Sequence, residues 1–512
     1  MRNLLVYSIF FLILGETMVF AKDAAEKPPR SQPKNMNLSI EKAVDLVLHN
    51  NLTLRSAKYD VIMSDTQVKK NQKQYAPVLE LGGSYLWQKS PLNASNRIGG
   101  GQEFYQWEVN AALSKMYSSG TTISVGVDQI ISDSNDQPLL FGTQVIPALP
   151  QFMTPSIYVG IQQELLKNAF GYTQRRNEMV LLKNAQIQRE SLVNTLSVLV
   201  VNALVDYWQV TINKRAVVNA QDQLKATRNV RDIVSRNIRL GLSERFDLNQ
   251  YNSLVALGEA KEALAEQNLK ESIRKLLRTI NVPADTKISG VTNLIETRPL
   301  LVEKEALETA YKKRADYRNA VLSVEAAKLE VELHENNALP SLTAGVRVQS
   351  NGQDTNFFTA QTDLPKLTYP QWQASIKMTY PLWDEELKTN VRNAHLRLRQ
   401  AKLKLEDMRQ EVEFDVKNHL EQVKLQHNVL LRNKEASQEA DKYYALLLRR
   451  SRQGKFNAAT VKSALDNRIE ARQRELESLV AYNIALLRFE LAKNEIFEKY
   501  NVDVEKLLRE VQ

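Results

Sequence analysis

Gln371-Trp372-Gln373-Ala374-Ser375-Ile376-Lys377-Met378-Thr379-Tyr380-Pro381-Leu382-Trp383-Asp384 leads into Val391, Ala394, Leu398, Ala401, Leu405, Met408 and Val412. In the first stretch Trp372, Ala374, Ile376, Met378 and Tyr380 alternate with polar neighbours, a period of two that puts the apolar side chains on one face of a strand. In the second the spacing is 3, 4, 3, 4, 3, 4, the heptad seam of a helix that supercoils around neighbours. Pro381 stands between the two periods as a stop. The helical pattern holds over 384–452, roughly 100 Å at 1.5 Å per residue.

The same strand pattern recurs. Leu342, Ala344, Val346 and Val348 share a face, as do Leu79, Leu81, Gly83, Tyr85 and Trp87; Ile123, Val125 and Val127; and Ile157, Val159 and Ile161. Strand lengths near 10 residues, with Trp87, Tyr105, Trp107, Trp372, Tyr380 and Trp383 towards the ends, fit the lipid-facing strands of a membrane barrel. A soluble sandwich with one buried face has the same alternation.

One unit is used twice. Ala43, Ala57, Pro77, Leu79 and Gly82 recur as Ala306, Ala320, Pro340, Leu342 and Gly345, an offset of 263 at each position (306 − 43, 340 − 77). Gly241 and Gly454, each interrupting a long helical pattern, are offset by 213 (454 − 241), so the first copy carries about 50 extra residues between its Pro and its Gly. Each copy reads as a helix (39–75; 303–337), strands (78–166; 341–381), a long helix (174–240; 384–452) and a shorter one (245–281; 457–499). The expected organisation is a signal peptide 1–21, a flexible leader 22–37, a first repeat 38–282, a connector 283–301, a second repeat 302–500 and a C-terminal tail 501–512.

The N-terminus sets the compartment. Arg2, an apolar run over 4–14 and the Val19-Phe20-Ala21 site have the form of a secretory signal peptide. No later run is expected to cross an inner membrane as a helix. The chain has no cysteine, which excludes disulfides and a lipid-modified Cys anchor. A net charge of +9 is spread among acidic residues along helical stretches, as in Glu470-Ala471-Arg472-Gln473-Arg474-Glu475, and reads as solvated helix faces without nucleic acid. One copy of the unit has too few strands to close a barrel. Open edges are not tolerated in lipid, so several chains are expected to share one barrel.

Ser39-Ile40-Glu41-Lys42-Ala43-Val44, Asn50-Asn51-Leu52, Ala76-Pro77, Ala203-Leu204-Val205-Asp206-Tyr207-Trp208 and Pro381-Leu382-Trp383-Asp384, in that order and spacing, resemble the TolC-like outer-membrane efflux family. Copy one carries a looser form of the last motif, Leu165-Leu166 to Phe170-Gly171. The resemblance covers about 38–500 and implies an α+β fold: a homotrimeric transmembrane β-barrel in the outer membrane, continued by a long α-helical coiled-coil tunnel in the periplasm. It further implies a passive duct for efflux or type I secretion, working with a periplasmic adaptor and an inner-membrane pump or ABC transporter. By this resemblance Leu240, Gly241 and Leu242, with Gln453, Gly454 and Lys455, are the adaptor-docking turns at the tips of two helical hairpins. Glycine suits such turns because it accepts positive φ.

Two departures from the family stand out. Some members carry acidic aperture residues six and nine positions past the second tip glycine; here those are Thr460 and Ser463, with Asp466 three further on. Asp247 keeps the equivalent place in the first repeat, while Arg449, Arg450 and Arg452 make the tip basic. These are the aperture candidates, with an Arg452–Asp247 contact expected. The family uses four strands per chain, whereas six are readable here. The extra pair (105–115 and 121–131, turning at Ser118-Ser119-Gly120) either enlarges the barrel or extends beyond the membrane, and the second is the expectation.

No catalytic residue, cofactor or metal is assigned. His49, His334, His395, His419 and His427 lack ligand spacing, since the residue four beyond His334 is Ala338. No phosphate-binding Gly-rich loop occurs, and Gly99-Gly100-Gly101 lies between strands. The competing reading is a periplasmic coiled-coil scaffold or adaptor without a pore; it shares the long helices but predicts no lipid-facing strands. A soluble exported enzyme needs a pocket of clustered titratable groups, which the sequence does not offer.

Overall fold

The computed structural model describes residues 35–91, 103–134, 139–141, 144–146, 151–239, 244–289, 294–297, 299, 302–451, 458–500 and 502. In chain order the elements are β1 (Asn35–Asn37), α1 (Ile40–Asn50), α2 (Leu52–Gln72), β2 (Val78–Lys89), β3 (Glu103–Met116), β4 (Thr121–Ser134), β5 (Leu139–Phe141), β6 (Gln144–Ile146), β7 (Phe152–Glu164), α3 (Tyr172–Arg239) and α4 (Arg245–Thr279). There follow β8 (Lys287–Ser289), α5 (Glu303–Lys313), α6 (Ala315–Asn337), β9 (Ser341–Asn351), α7 (Phe357–Thr362), β10 (Tyr369–Thr379), α8 (Glu385–Ser451), α9 (Ala458–Lys493) and α10 (Ile496–Lys499).

The offsets read from the sequence reappear as element boundaries. α5 and α6 start 263 residues after α1 and α2 (303 − 40, 315 − 52), and β9 starts 263 after β2 (341 − 78). α8 and α9 start 213 after α3 and α4 (385 − 172, 458 − 245).

The first helix of each copy is not continuous as expected; it breaks at Asn51 and at Arg314, again 263 apart (314 − 51). Both residues are extended, with ψ of 126° and 120°. Asn51 ends α1 by donating its backbone N–H to Val47 (3.1 Å), then caps α2 by accepting from Leu54 N–H (3.1 Å). Arg314 breaks its helix differently. Its buried guanidinium donates to both oxygens of Asp316 (3.0 and 2.7 Å) and to Asp415 on α8 (3.1 Å). The last expected helix is also interrupted, by Asn494 at φ +56°, matching Asn281 at φ +52° in the first copy. Asparagine is among the few residues that enter this region readily.

Strands β10, β9, β7, β4, β3 and β2 form one six-stranded antiparallel sheet in that order. The expectation that the β3–β4 hairpin lies beyond the membrane is therefore corrected. The hairpin sits inside the sheet, paired along its length with β2 on one side and β7 on the other. Its apolar residues continue the face of the flanking strands, and only inclusion in the sheet gives that face a common side.

Two full-length helices, α3 and α8, at roughly 1.5 Å per residue reach about 100 Å. Nearest the sheet, α2 packs on α3, and α6 lies between α3 and α8. Farther away, α4 packs on α3, and α9 lies between α3 and α8. Four helices thus stand side by side at either level. The expected seam of α8 faces these neighbours, with Ala394 and Val412 buried and continued by Val416, Leu420 and Val423.

Between the two levels lies a belt built from α1, the middle of α3, the end of α4 and the parallel β1–β8 pair. Val44 and Val47 meet Leu196, Val200 and Leu204 here, and the buried Tyr207 hydroxyl donates to Leu38 C=O (2.8 Å). By length and composition α3 alone among the described helices is apolar enough to be a candidate for crossing a membrane. Its apolar stretch is committed to this belt instead. Buried Asp206 within it pairs with Lys275 (2.9 Å) and accepts from Thr279 (2.7 Å).

Burial holds the half-buried His419 imidazole below its ordinary value of 6.5; Asp415 opposes the shift, while Arg488 and Arg314 add to it. The fold therefore favours the neutral ring. Stability from this group is complete above pH 6.5 and is lost as pH falls towards the lowered folded value. His419→Asn is expected to flatten the decline of the thermal midpoint below pH 6.5. An unchanged slope between pH 6.5 and 5 counts against the assignment.

Candidate functional site

The register of the sheet sorts its side chains into two faces. Leu79, Tyr85 and Trp87 stand opposite Leu113, Trp107 and Tyr105; Leu113 and Ala111 stand opposite Val125 and Val127. These meet Val159 and Ile157, then Val348 and Ser350, and Val348 meets Trp372. The apolar face runs across all six strands and is largely exposed, with Leu81 at 60%, Val159 at 46% and Ile376 at 79%, while Ser350 at its loop end is buried.

Its aromatics form two bands. Tyr85, Trp87, Trp107 and Trp372 lie towards the loop end, with the Tyr85 and Trp107 rings 4.4 Å apart. Tyr117, Phe170, Tyr380 and Trp383 lie towards the helices. About 8–11 residues separate the bands, roughly 25 Å of depth for tilted strands, the height of a bilayer's apolar band.

Phe170 and Trp383 occupy the same place in the two copies (383 − 170 = 213) and both have positive φ, +50° and +56°. Bulky residues rarely adopt this conformation. It turns each ring outwards at the strand-to-helix joint, where Trp383 is 87% exposed.

The opposite face is polar: Glu80, Ser84 and Gln88; Gln106, Glu108 and Asn110; Ser124 and Asp128; Arg347 and Gln349; Gln371, Gln373, Ser375 and Lys377. At its centre the Arg347 guanidinium lies 3.5 Å from the Tyr158 ring centroid and 3.4 Å from Asp128 Oδ2. Ser156 donates to the same carboxylate (3.3 Å). Gly126 makes the arrangement possible, because a Cβ there would stand 2.5 Å from the Tyr158 ring.

At the far end, Leu240, Gly241, Leu242, Gln453, Gly454, Lys455 and Arg452 lie outside the described residues, as does the Asp247 side chain, so the expected Arg452–Asp247 contact lies there too. Arg449 and Arg450 are exposed on the last turn of α8, where cations suit the helix dipole. Ser463 is exposed and Thr460 half-buried. Asp466 pairs with Lys462 on its own helix (2.6 Å).

A cluster that sequence reasoning missed lies nearby. Asp441 on α8 accepts from Arg468 (2.7 Å) and, through both oxygens, from Arg472 (3.0 and 2.9 Å) on α9. Arg468 also stands over the Tyr444 ring at 5.0 Å. Burial pushes the Asp441 carboxyl upwards, but the hydrogen bonds of Arg472 and Arg468 outweigh it and hold the group below the usual carboxylate range. A signal existed: Asp441 lies 13 residues before Gly454 and Arg468 lies 14 after it (454 − 441, 468 − 454), so an antiparallel hairpin turning there sets them face to face.

Asp441→Asn weakens both arginine contacts at once. As the groups are partly exposed, the expected cost is about 1 kcal/mol. It should appear as faster amide hydrogen exchange over 440–450 and 461–472; unchanged exchange there argues against a clamp.

Among the described residues no cluster of His, Cys, Asp or Glu is placed to hold a metal ion. What the geometry offers is a surface: lipid-compatible on one side of the sheet, hydrophilic on the other, and prolonged by helices.

Comparison with known proteins agrees with this surface. A family model described as outer membrane efflux protein matches residues 306–493. No curated protein matches the chain by sequence. Among solved structures the chain is similar to the Campylobacter jejuni CmeC outer membrane channel, at 14% identity and a TM-score of 0.64, covering 92% of this chain and 89% of that one. It is similar to the outer membrane protein VceC of Vibrio cholerae, at 11% identity and 0.64, covering 89% and 95%. It is also similar to CusC, at 13% identity and 0.63, covering 90% and 92%. At such identities the likeness is one of fold.

Proposed function

We propose that this chain is an outer membrane efflux protein, the family whose model matches residues 306–493, and that three copies of it build one passive duct through the outer membrane and into the periplasm. The observation that carries the reading is the two-faced sheet. Among the described residues its apolar side is left largely uncovered, and its two edge strands, β2 and β10, are exposed along nearly their whole length. Unpaired edges are not stable in lipid, and neighbouring copies supply the missing partners.

The helices support the same assembly. Leu396, Leu403, Phe414 and Leu425 are spaced 7, 11 and 11, which puts them on one side of α8, away from its buried seam, and all are more than half exposed. Tyr59 and Met63 on α2, and Leu257 and Leu264 on α4, are exposed on the other flank of the protomer. The stripe on α8 lies against α2 and α4 of the next copy.

In this reading residues 1–21 direct export and are removed, 22–37 form a leader, 38–282 and 302–500 are the two repeats joined by 283–301, and 501–512 form a tail. Leu240, Gly241 and Leu242, with Gln453, Gly454 and Lys455, are the turns that dock on a periplasmic adaptor, itself coupled to an inner-membrane pump or ABC transporter. Asp247, Arg449, Arg452, Thr460, Ser463 and Asp466 surround the aperture. Transport energy comes from the inner-membrane partner, and no chemistry is assigned to this chain.

Native mass spectrometry of the detergent-extracted protein tests the assembly, with planar-bilayer recording beside it. Three copies and a steady ionic conductance are expected. A chain that stays in solution without detergent, or that does not conduct in any bilayer, retires the duct.

A further inference from the structure

We propose that the assembled barrel has eighteen strands, six from each of three copies, and that its mouth is consequently as wide as the helical tunnel beneath it. The proposal rests on the three-copy reading above and adds to it the size of the portal. It departs from the four strands per chain that the family resemblance implies.

The first support is the integration of the β3–β4 hairpin. β3 pairs with β2 over 78–89, and β4 with β7 over 152–163. Val109, Ala111 and Leu113, with Val125, Val127 and Ile131, lie on the exposed apolar face, while Glu108, Asn110, Ser124 and Asp128 lie on the polar one. Both strands thus obey the same inside–outside rule as their neighbours, which a hairpin projecting into water has no reason to do.

The second support is the hairpin's turn, which is locked into the joint between sheet and helices. Gly120 (φ +69°) and Gly171 (φ +77°) pack together so closely that a Cβ on Gly171 would stand 1.8 Å from Ser118 C=O. Thr121 Oγ1 donates to Gln163 Oε1 (2.6 Å), Gln163 Nε2 donates to Ser119 C=O (3.0 Å), and Glu164 N–H donates to Gly120 C=O (3.4 Å). The turn therefore belongs to the floor of the barrel.

The third support is closure. Every neighbouring pair in the sheet is antiparallel and the strand number is even, so the edges β2 and β10 run in opposite directions. Copies related by rotation can then join β10 of one to β2 of the next without a parallel seam, and three such joins leave no edge.

Width decides what this count does. Six strands about 4.8 Å apart and tilted about 40° occupy roughly 37 Å of circumference. Four helices side by side at about 8–10 Å occupy roughly 32–40 Å. Sheet and tunnel wall therefore match in arc, whereas four such strands would span only about 25 Å and pinch the duct at the outer membrane. In this protein the outer portal is no narrower than the tunnel, and selection by size falls to the periplasmic tip. The class of cargo admitted by the portal is any solute that the tunnel itself holds, bulky ones included.

The test uses the full-length protein. Electron microscopy at a resolution that separates strands is expected to show three-fold symmetry and eighteen strands. Twelve strands within a three-fold particle overturn this inference and leave the channel reading intact; loss of three-fold symmetry overturns the reading on which it rests. Because the chain has no cysteine, single substitutions give a second readout in the intact membrane. Glu108→Cys is expected to react with a membrane-impermeant maleimide at least ten times faster than its neighbour Val109→Cys, one facing the lumen and the other lipid. Equal rates at the two positions place the hairpin in water and overturn the inference.

Discussion

Ile376→Arg is expected to abolish the assembled channel in the outer membrane, while Ser375→Arg, one residue away, is expected to assemble and only alter conductance. Ile376 lies near the middle of β10, opposite Ala344 on the apolar face, and is 79% exposed. An arginine at mid-bilayer depth on the lipid face of a barrel costs about 2–4 kcal/mol. Three copies multiply that to roughly 6–12 kcal/mol per assembled barrel, comparable with the whole stability of a typical domain at about 5–15 kcal/mol. Ser375 lies on the polar face opposite Gly345, where the absent side chain leaves room for a longer one. Quantifying the heat-modifiable trimer in membrane extracts, then recording from whatever trimer is recovered, separates the two variants. Normal assembly of Ile376→Arg, or equal failure of both, contradicts the face assignment.

That assignment was legible in advance because a strand's two faces are written into consecutive residues. Trp372, Ala374, Ile376 and Met378 share a side wherever the strand is placed. The duplication was legible for a related reason: Pro77 and Pro340, or Gly241 and Gly454, keep their order even though their spacing changes between the two halves. The β3–β4 hairpin shows where such reading stops. Its alternation was visible, but alternation names a face and not a neighbour, and family precedent sent it outwards. Pairing with β2 and β7 is a long-range fact that only the assembled sheet reveals. The breaks at Asn51 and Arg314 were hidden for a different reason. Helical periodicity runs straight through both positions, and what ends the helix at Arg314 is a carboxylate about 100 residues away, Asp415.

The functional residues divide along the same line. Gly241 and Gly454 stand out in the sequence because each interrupts a long helical pattern, though both lie outside the described residues. Asp441 with Arg468 and Arg472 does not, since each looks like ordinary surface charge on its own helix. Only the packing of α8 against α9 sets them together. The Asp128–Arg347–Tyr158 group is hidden more deeply still: it joins residues of the two repeats across three strands, and Gly126 makes room for it by lacking a side chain.

Arg314→Ala is expected to cost about 3 kcal/mol per chain, the lower end for breaking a buried ionic group because both acidic partners retain some contact with water. Arg314 is 8% exposed. Its removal takes away three hydrogen bonds and leaves Asp316 and Asp415 facing each other without a cation. Burial acts most strongly on Asp316 and pushes its carboxyl upwards, yet the hydrogen bonds and charge of Arg314 outweigh it and keep the group below the usual carboxylate range. The sign follows from that lowered value. The stabilisation is complete above the ordinary carboxylate value of 3.8 and is lost as pH falls through the lower folded one. The penalty of Arg314→Ala should therefore be full at pH 7 and shrink only in strong acid. Arg314→Lys keeps the charge but cannot make the two-toothed contact with Asp316, so an intermediate loss is expected. Asp316→Asn combined with Arg314→Ala separates electrostatic from steric causes. If unpaired carboxylates account for the loss, the double variant recovers part of the thermal midpoint of helical circular dichroism in detergent. If the double variant is as unstable as Arg314→Ala alone, the guanidinium acts chiefly by filling the α5–α6 joint, and the ionic account of the break is wrong.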